Sequence, residues 1–222
     1  MNYDLWNAAL HRNTKQIVWG GIYKDMKDWN GNYNSIYKII GASNHTDKER
    51  ESNDYYATDP IAIDKLLTVE QLPKNVWECA AGECHLANRL RELGHNVFTT
   101  DIIQRGVDSI QDFLAATELP IKDCCILTNP PYKYAKEFVL KALDLLPDGG
   151  RCYMFLKLTF LEGKSRYSEI FSLKPPIKVL VFSQRIICAM NGEFDKYPSS
   201  AIAYAWFVWE KGYTGDTIIK WL

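Results

Sequence analysis

From Pro60 onward the chain alternates, at nearly even spacing, between short continuous apolar runs and longer stretches with a helical apolar period. A run that is apolar throughout has both of its faces covered, which in a sheet means helices packed on each side. The spacing predicts a helix over 60–69, with Asp59 as N-cap and Pro60 at the first helical position. A strand over 75–80 follows, then a helix over 86–93 stopped by Gly94. Further strands are expected over 96–100, 124–128, 151–158, 178–182 and 201–209, with helices over 135–146 and 165–173 between them. The expectation is an open, doubly wound α/β domain with a parallel sheet covered on both faces. Its ligands belong at the carboxyl ends of the strands.

Residues 1–58 read differently. They are polar, aromatic and rich in Asn and Gly, with a charged run at Asp47-Lys48-Glu49-Arg50-Glu51. The division expected is an N-terminal arm or small subdomain over 1–50 and one α/β domain over 51–222. A hydrophobic content of 47% over 222 residues excludes a disordered chain. No stretch approaches the roughly 18 consecutive apolar residues of a membrane span, and the first residues lack the basic-then-apolar layout of a signal peptide. Six scattered cysteines make no disulfide framework, so reduced thiols and a cytoplasmic location are expected.

Two strand ends carry the chemistry. After the first strand comes Glu78-Cys79-Ala80-Ala81-Gly82-Glu83-Cys84-His85, whose small residues at 80–82 let the backbone approach a ligand. Asp101 ends the next strand, nineteen residues after Gly82, where an acid is placed to take both hydroxyls of a ribose. The second glycine of a dinucleotide turn is replaced by Cys84, and a nucleoside with no phosphate to cradle needs fewer glycines. The stronger signal is Ile126-Leu127-Thr128-Asn129-Pro130-Pro131-Tyr132. Two prolines remove two backbone donors and hold the chain extended. An Asn side-chain oxygen beside a free carbonyl makes two acceptors, which suit a planar amino group whose two hydrogens must both be held.

With these residues the chain resembles the S-adenosylmethionine-dependent amino-methyltransferases, and among them the small DNA adenine methyltransferases of bacterial viruses and prophages. The matching segments are Asp54-Tyr55-Tyr56-Ala57-Thr58-Asp59-Pro60, the 78–86 turn, Asp101, Asp112-Phe113, Asn129–Tyr132 and 155–163, in that order. The resemblance implies a Rossmann-like class I methyltransferase fold, with a mostly parallel seven-stranded sheet, and S-adenosyl-L-methionine as cofactor. Thr58 and Pro60 then border its methionine end, Ala80, Ala81 and Gly82 lie along it, and Glu78 faces its amino group. Asp101 holds the ribose, with Ile102 beside it. Asp112 accepts from the adenine amine, and Phe113 packs on that ring. Asn129, Pro130 and Tyr132 become the catalytic set, with Tyr132, Lys133, Phe160 and Tyr197 on the substrate.

The implied reaction is methylation of the exocyclic amine of adenine in double-stranded DNA, by a bacterial or phage-encoded enzyme. A base within a duplex must flip out to reach such a pocket, at a cost of a few kcal/mol. RNA and protein-glutamine methyltransferases share the Asn-Pro-Pro-Tyr element and remain alternatives, as does a degenerate protein that only binds the cofactor. A homodimer is a further possibility, since nothing inserted between Asp112 and Cys124 resembles a recognition domain. Between Lys133 and Arg185 ten Lys/Arg face five Asp/Glu, a surplus that fits either a phosphate-facing surface or solvated helix faces. Cys79, Cys84 and His85 have no metal-knuckle spacing, and no metal is expected. The loop over 189–198 is either a connector or a contact to the flipped base. Trp206 and Trp209, three apart on a strand, should point to opposite faces and pack.

Overall fold

The computed structural model describes residues 56–190, 192, 194 and 200–222. The expected arm over 1–50, Asp54, Tyr55 and Tyr197 lie outside the described residues.

The chain forms β1 (Tyr56–Thr58), α1 (Ile61–Leu67), β2 (Asn75–Glu78), α2 (His85–Glu92), β3 (Asn96–Asp101), β4 (Ser109–Ile110) and β5 (Cys124–Thr128). It continues through α3 (Ala135–Leu145), β6 (Arg151–Lys157), a short helical turn α4 (Lys164–Arg166) that widens into a π-type turn over Tyr167–Phe171, β7 (Lys178–Val181), β8 (Cys188–Met190), β9 (Tyr204–Glu210) and β10 (Ile218–Trp221). One sheet runs β10-β7-β9-β6-β5-β2-β3-β4. Only β9 is antiparallel to its neighbours, β6 and β7. The doubly wound, mostly parallel class is therefore the one observed.

The apolar patterns explain the layering. All five residues of β5 are buried, as a central strand covered on both faces requires. In α3 the buried positions are Ala135, Phe138, Val139, Ala142 and Leu143, the i, i+3, i+4, i+7, i+8 stripe of a helix with one buried face. Helices α1 and α2 send Ile63, Leu66, Leu86 and Leu90 into one core layer. Helix α3 and the Tyr167–Phe171 turn send Phe138, Val139 and Ile170 into the other. Trp206 lies in the first layer and Trp209 in the second, on opposite faces of β9 as their odd spacing requires. Each buried indole donates to a carbonyl, of Ala62 at 2.9 Å and of Lys174 at 3.1 Å.

Several details differ from the sequence reading: the helix expected over 165–173 is the three-residue α4 with its π-type turn, and the strand expected over 201–209 begins at Tyr204. The sheet has eight strands rather than seven. Its outer strands carry no buried apolar run: β4 is two residues long, and β10 has Ile218, Ile219 and Trp221 all at least half exposed. The antiparallel pair β1–β8 was not foreseen, because three residues are too few to establish a period of two. Helix α1 begins at Ile61 rather than Pro60, although Asp59 Oδ1 still accepts the Ile61 N–H at 2.9 Å and caps it. Among the described residues no helix is long and apolar enough to cross a membrane.

Candidate functional site

From β2 the chain moves outward to β3 and β4, then returns to the other side of β2 with β5 and β6. The reversal places a switch point between β2 and β5, where open α/β sheets bind ligands. Adjacent strands lie about 4.8 Å apart. Glu78 and the 80–82 turn therefore come out between Asp101 on one side and Asn129 on the other.

On the β2–β3 side, Asp101 Oδ2 accepts the Gly82 N–H at 2.9 Å and Oδ1 accepts the Ile103 N–H at 3.0 Å. Arg105 Nη1 lies 3.8 Å from the same carboxylate. Each oxygen keeps a further lone pair, enough to accept a hydroxyl. Ile102 beside it is 64% exposed, a bare apolar surface at the strand tip. The tightness of the turn shows in its backbone: Gly82 has φ +53° and Cys84 has φ +63°. A cysteine thus holds the left-handed conformation that favours glycine. Its side chain is 3% exposed, with Sγ 3.8 Å from the Gly106 carbonyl, so it faces the core rather than the crevice.

Glu78 is 2% exposed, and burial raises its carboxyl well above the usual range. Its Oε2 is buried, with no hydrogen-bond partner among the described residues. Asp112 is exposed, and its Oδ1 caps the following turn through the Leu114 N–H at 2.9 Å. Phe113 is 1% exposed and packed against Trp77 and Phe138, which makes it a core ring.

On the β5 side, Asn129 Nδ2 donates to Thr58 Oγ1 at 2.9 Å and lies 3.4 Å from the Tyr56 carbonyl. A carbonyl only accepts, so the amide nitrogen faces β1 and Oδ1 faces away. That Oδ1 is buried, with no hydrogen-bond partner among the described residues. No hydrogen bond to the Pro130 carbonyl occurs among the described residues. Thr58 is 3% exposed, and Pro60 is half-buried at the start of α1.

Tyr132 is half-buried, with its ring stacked on Tyr204 at 6.1 Å and Lys157 Nζ 4.3 Å above it. Its hydroxyl lies 3.9 Å from Cys188 Sγ, and burial pushes its ionisation far up. A hollow of about 110 Å³ opens beside it, floored by Phe160 and Leu156 and edged by Lys157 and Arg166. A larger one, about 280 Å³, lies at the ends of β7 and β9 between Phe182, Gln184, Arg185 and Tyr204. Size alone favours the second, but of the five buried side-chain atoms without a hydrogen-bond partner among the described residues (on Glu78, His85, Thr128, Asn129 and Tyr153), Glu78 Oε2 and Asn129 Oδ1 belong to residues at the ends of β2 and β5.

The remaining expected residues fall into two groups. Phe160 is 8% exposed and belongs to the core with Phe207 and Trp209, whereas Lys133 is exposed, its ammonium 5.1 Å over the Tyr134 ring. The basic surplus shrinks on inspection. Lys136 pairs with Glu169, Lys178 with Glu70, Arg151 with Glu210, and Lys141 binds the Ala116 carbonyl. Arg166 is spent on the carbonyls of Phe160, Thr159 and Glu162. Five of the ten basic residues therefore serve the fold.

Cys79 and Cys84 sit in different core layers, and the described residues hold no cluster suited to a metal ion. His85 packs edge-on against Phe194 at 5.4 Å, with Glu83 Oε2 3.4 Å from Nε2, so the segment after β8 reaches the first turn of α2. Sequence reasoning missed Cys188 and Tyr204, which belong to no motif. It also passed over Lys157 as a site residue, although Lys157 lies within the matching 155–163 segment.

No family model matches the chain, and no curated protein sequence is similar to it. Solved structures are similar in fold. A dimethyladenosine transferase from Plasmodium falciparum shares 18% identity at TM-score 0.48, over 68% of this chain and 61% of that one. A TehB-like SAM-dependent methyltransferase from Corynebacterium glutamicum shares 12% at TM-score 0.45, over 82% and 97%. A Vibrio vulnificus chain described as a type I restriction-enzyme modification subunit shares 14% at TM-score 0.48, over 83% and 48%. The chain thus spans about three fifths of the Plasmodium protein and about half of the Vibrio one. At these identities the likeness is one of fold.

Proposed function

We propose that this chain is an S-adenosylmethionine-dependent methyltransferase acting on a planar amino group. Within that class, the reading supported best is methylation of the exocyclic amine of adenine in DNA. The observation that carries the class is the buried Oδ1 of Asn129 at the sheet's switch point, without a hydrogen-bond partner among the described residues, as is the carbonyl of the next residue, Pro130. A buried acceptor left open costs about 1–3 kcal/mol, and a donor brought by a ligand relieves it. The step to adenine in DNA rests on the resemblance across 54–60, 129–132 and 155–163.

The chain's residues fit the cofactor. Glu78 offers a buried carboxylate oxygen with no partner, suited to an ammonium, and an approaching cation favours its ionised form. Asp101 retains lone pairs for the ribose, and Ile102 gives an apolar surface for a flat ring. Pro60, Ala80, Ala81 and Gly82 border the same crevice. When bound, S-adenosylmethionine supplies a methyl group on a sulfonium, ready for in-line displacement. The protein's task is then orientation, which can contribute roughly 7–11 kcal/mol. Asn129 Oδ1 and the Pro130 carbonyl hold the two amine hydrogens and turn the nitrogen lone pair out of the ring plane. The methylated nitrogen is a strong acid and releases its surplus proton to water, so no catalytic base is needed.

The test is transfer of a tritiated methyl group to duplex DNA, RNA and protein in parallel. Label on adenine N6 of DNA is expected. Label confined to RNA or to protein glutamine would move the chain to another substrate class. No label together with no heat of cofactor binding at millimolar ligand would mean a degenerate site.

A further inference from the structure

Nothing about an asparagine obliges its oxygen, rather than its nitrogen, to face a ligand. Rotation of the terminal amide by half a turn would present two donors to an amino group and repel it. Here the orientation is set from behind. Both Nδ2 contacts run to one strand: Thr58 Oγ1 at 2.9 Å and the Tyr56 carbonyl at 3.4 Å, both on β1. That strand is itself held in place, with Thr58 opposite Cys188 across the β1–β8 pair and the Asp59 N–H bonded to the Ile187 carbonyl at 3.0 Å. Thr58 is 3% exposed, so its hydroxyl oxygen is shielded from bulk water.

We infer that Thr58 is a positioning residue for methyl transfer: it grips the Asn129 amide nitrogen and so keeps Oδ1 turned toward the amino group. The inference rests on the reading of Asn129 given above. It differs from the role the resemblance implies for Thr58, that of bordering the cofactor, and the two separate by experiment. Thr58→Val keeps the shape and the strand preference but removes the acceptor. Asn129 then retains only the long contact to Tyr56 and is free to rotate. Thr58→Ser keeps the oxygen.

Three measurements decide it. In single-turnover methyl transfer, Thr58→Val should slow the chemical step about tenfold or more, the worth of one hydrogen bond made in the transition state. Its cofactor dissociation constant by calorimetry should stay within about twofold of the parent, because an interaction lost only in the transition state leaves binding alone. Thr58→Ser should return the rate to within about threefold, since it restores that bond. In ¹⁵N spectra, the Asn129 side-chain NH2 pair, assigned by its absence in Asn129→Ala, should exchange slowly in the parent and in Thr58→Ser but rapidly in Thr58→Val.

An unchanged Thr58→Val rate overturns the inference, as does a cofactor affinity that falls in step with the rate. Equal losses in the Val and Ser variants also overturn it. If the parent chain methylates no substrate, the functional reading fails, and the exchange of the Asn129 amide alone decides whether Thr58 fixes it.

Discussion

Asn129→Ala separates a residue kept for chemistry from one kept for the fold. Two terms oppose each other in the free protein. Removing the side chain relieves a buried oxygen without a partner, which costs about 1–3 kcal/mol where it stands. It also deletes the 2.9 Å bond to Thr58, whose net worth is about 1 kcal/mol. The difference runs from about 0 to 2 kcal/mol in favour of the variant, so unfolding in urea should show it no less stable than the parent. Catalysis should respond very differently. Withdrawing one preorganised polar partner from a reacting group commonly costs about 10²–10³-fold. The assay pairs urea melts with single-turnover transfer of a tritiated methyl group, and with calorimetry of cofactor binding. A variant that loses more than about 3 kcal/mol of stability while retaining most of its rate would mean that Asn129 holds the β5–β1 contact together and nothing more.

Two further outcomes follow from buried groups near the crevice. Burial raises the Glu78 carboxyl in the folded state, so its proton is held more tightly there than in the unfolded chain; the stability it contributes is present in acid and lost as pH rises through its folded value. Glu78→Gln should therefore match the parent at about pH 4 and exceed it in urea melts at about pH 8, while binding S-adenosylmethionine more weakly. A variant less stable than the parent at the higher pH would contradict this. At Cys84 the left-handed backbone costs a non-glycine residue about 1–2 kcal/mol. Cys84→Gly trades that strain for a lost buried thiol and should stay within about 1 kcal/mol of the parent, whereas β-branched Cys84→Val should lose more than about 2 kcal/mol in thermal unfolding. Equal stability of the two variants would show that the turn relaxes.

The sequence was most legible where one physical signal repeats. The uninterrupted apolar run at 124–128 announced a strand covered on both faces, and Asn129 followed it to the sheet's edge. The small residues at 80–82 and the acid at 101 met as expected, joined by the Gly82–Asp101 bond. Legibility failed where position depends on partners far along the chain. Nothing local distinguishes Cys188 or Tyr204 from core residues, yet β1–β8 pairing and the β9 register carry them to Tyr132. Phe113 and Phe160 illustrate the converse. A motif match says that a ring stands at a position, but only packing says that Trp77, Phe138, Phe207 and Trp209 already enclose those rings. The basic run was left undecided by the sequence for a related reason. Counting charges along the chain cannot show that Arg166 spends its donors on three carbonyls of its own loop.

The most direct measurement is a crystal structure with S-adenosylhomocysteine, the product left after transfer. Its ribose hydroxyls should rest on the Asp101 carboxylate, its amino group should meet Glu78, and its sulfur should face Asn129. The same ligand found instead in the hollow between Phe182 and Arg185, or nowhere on the β2–β5 edge, would contradict a methyl donor held beside the Asn129 oxygen.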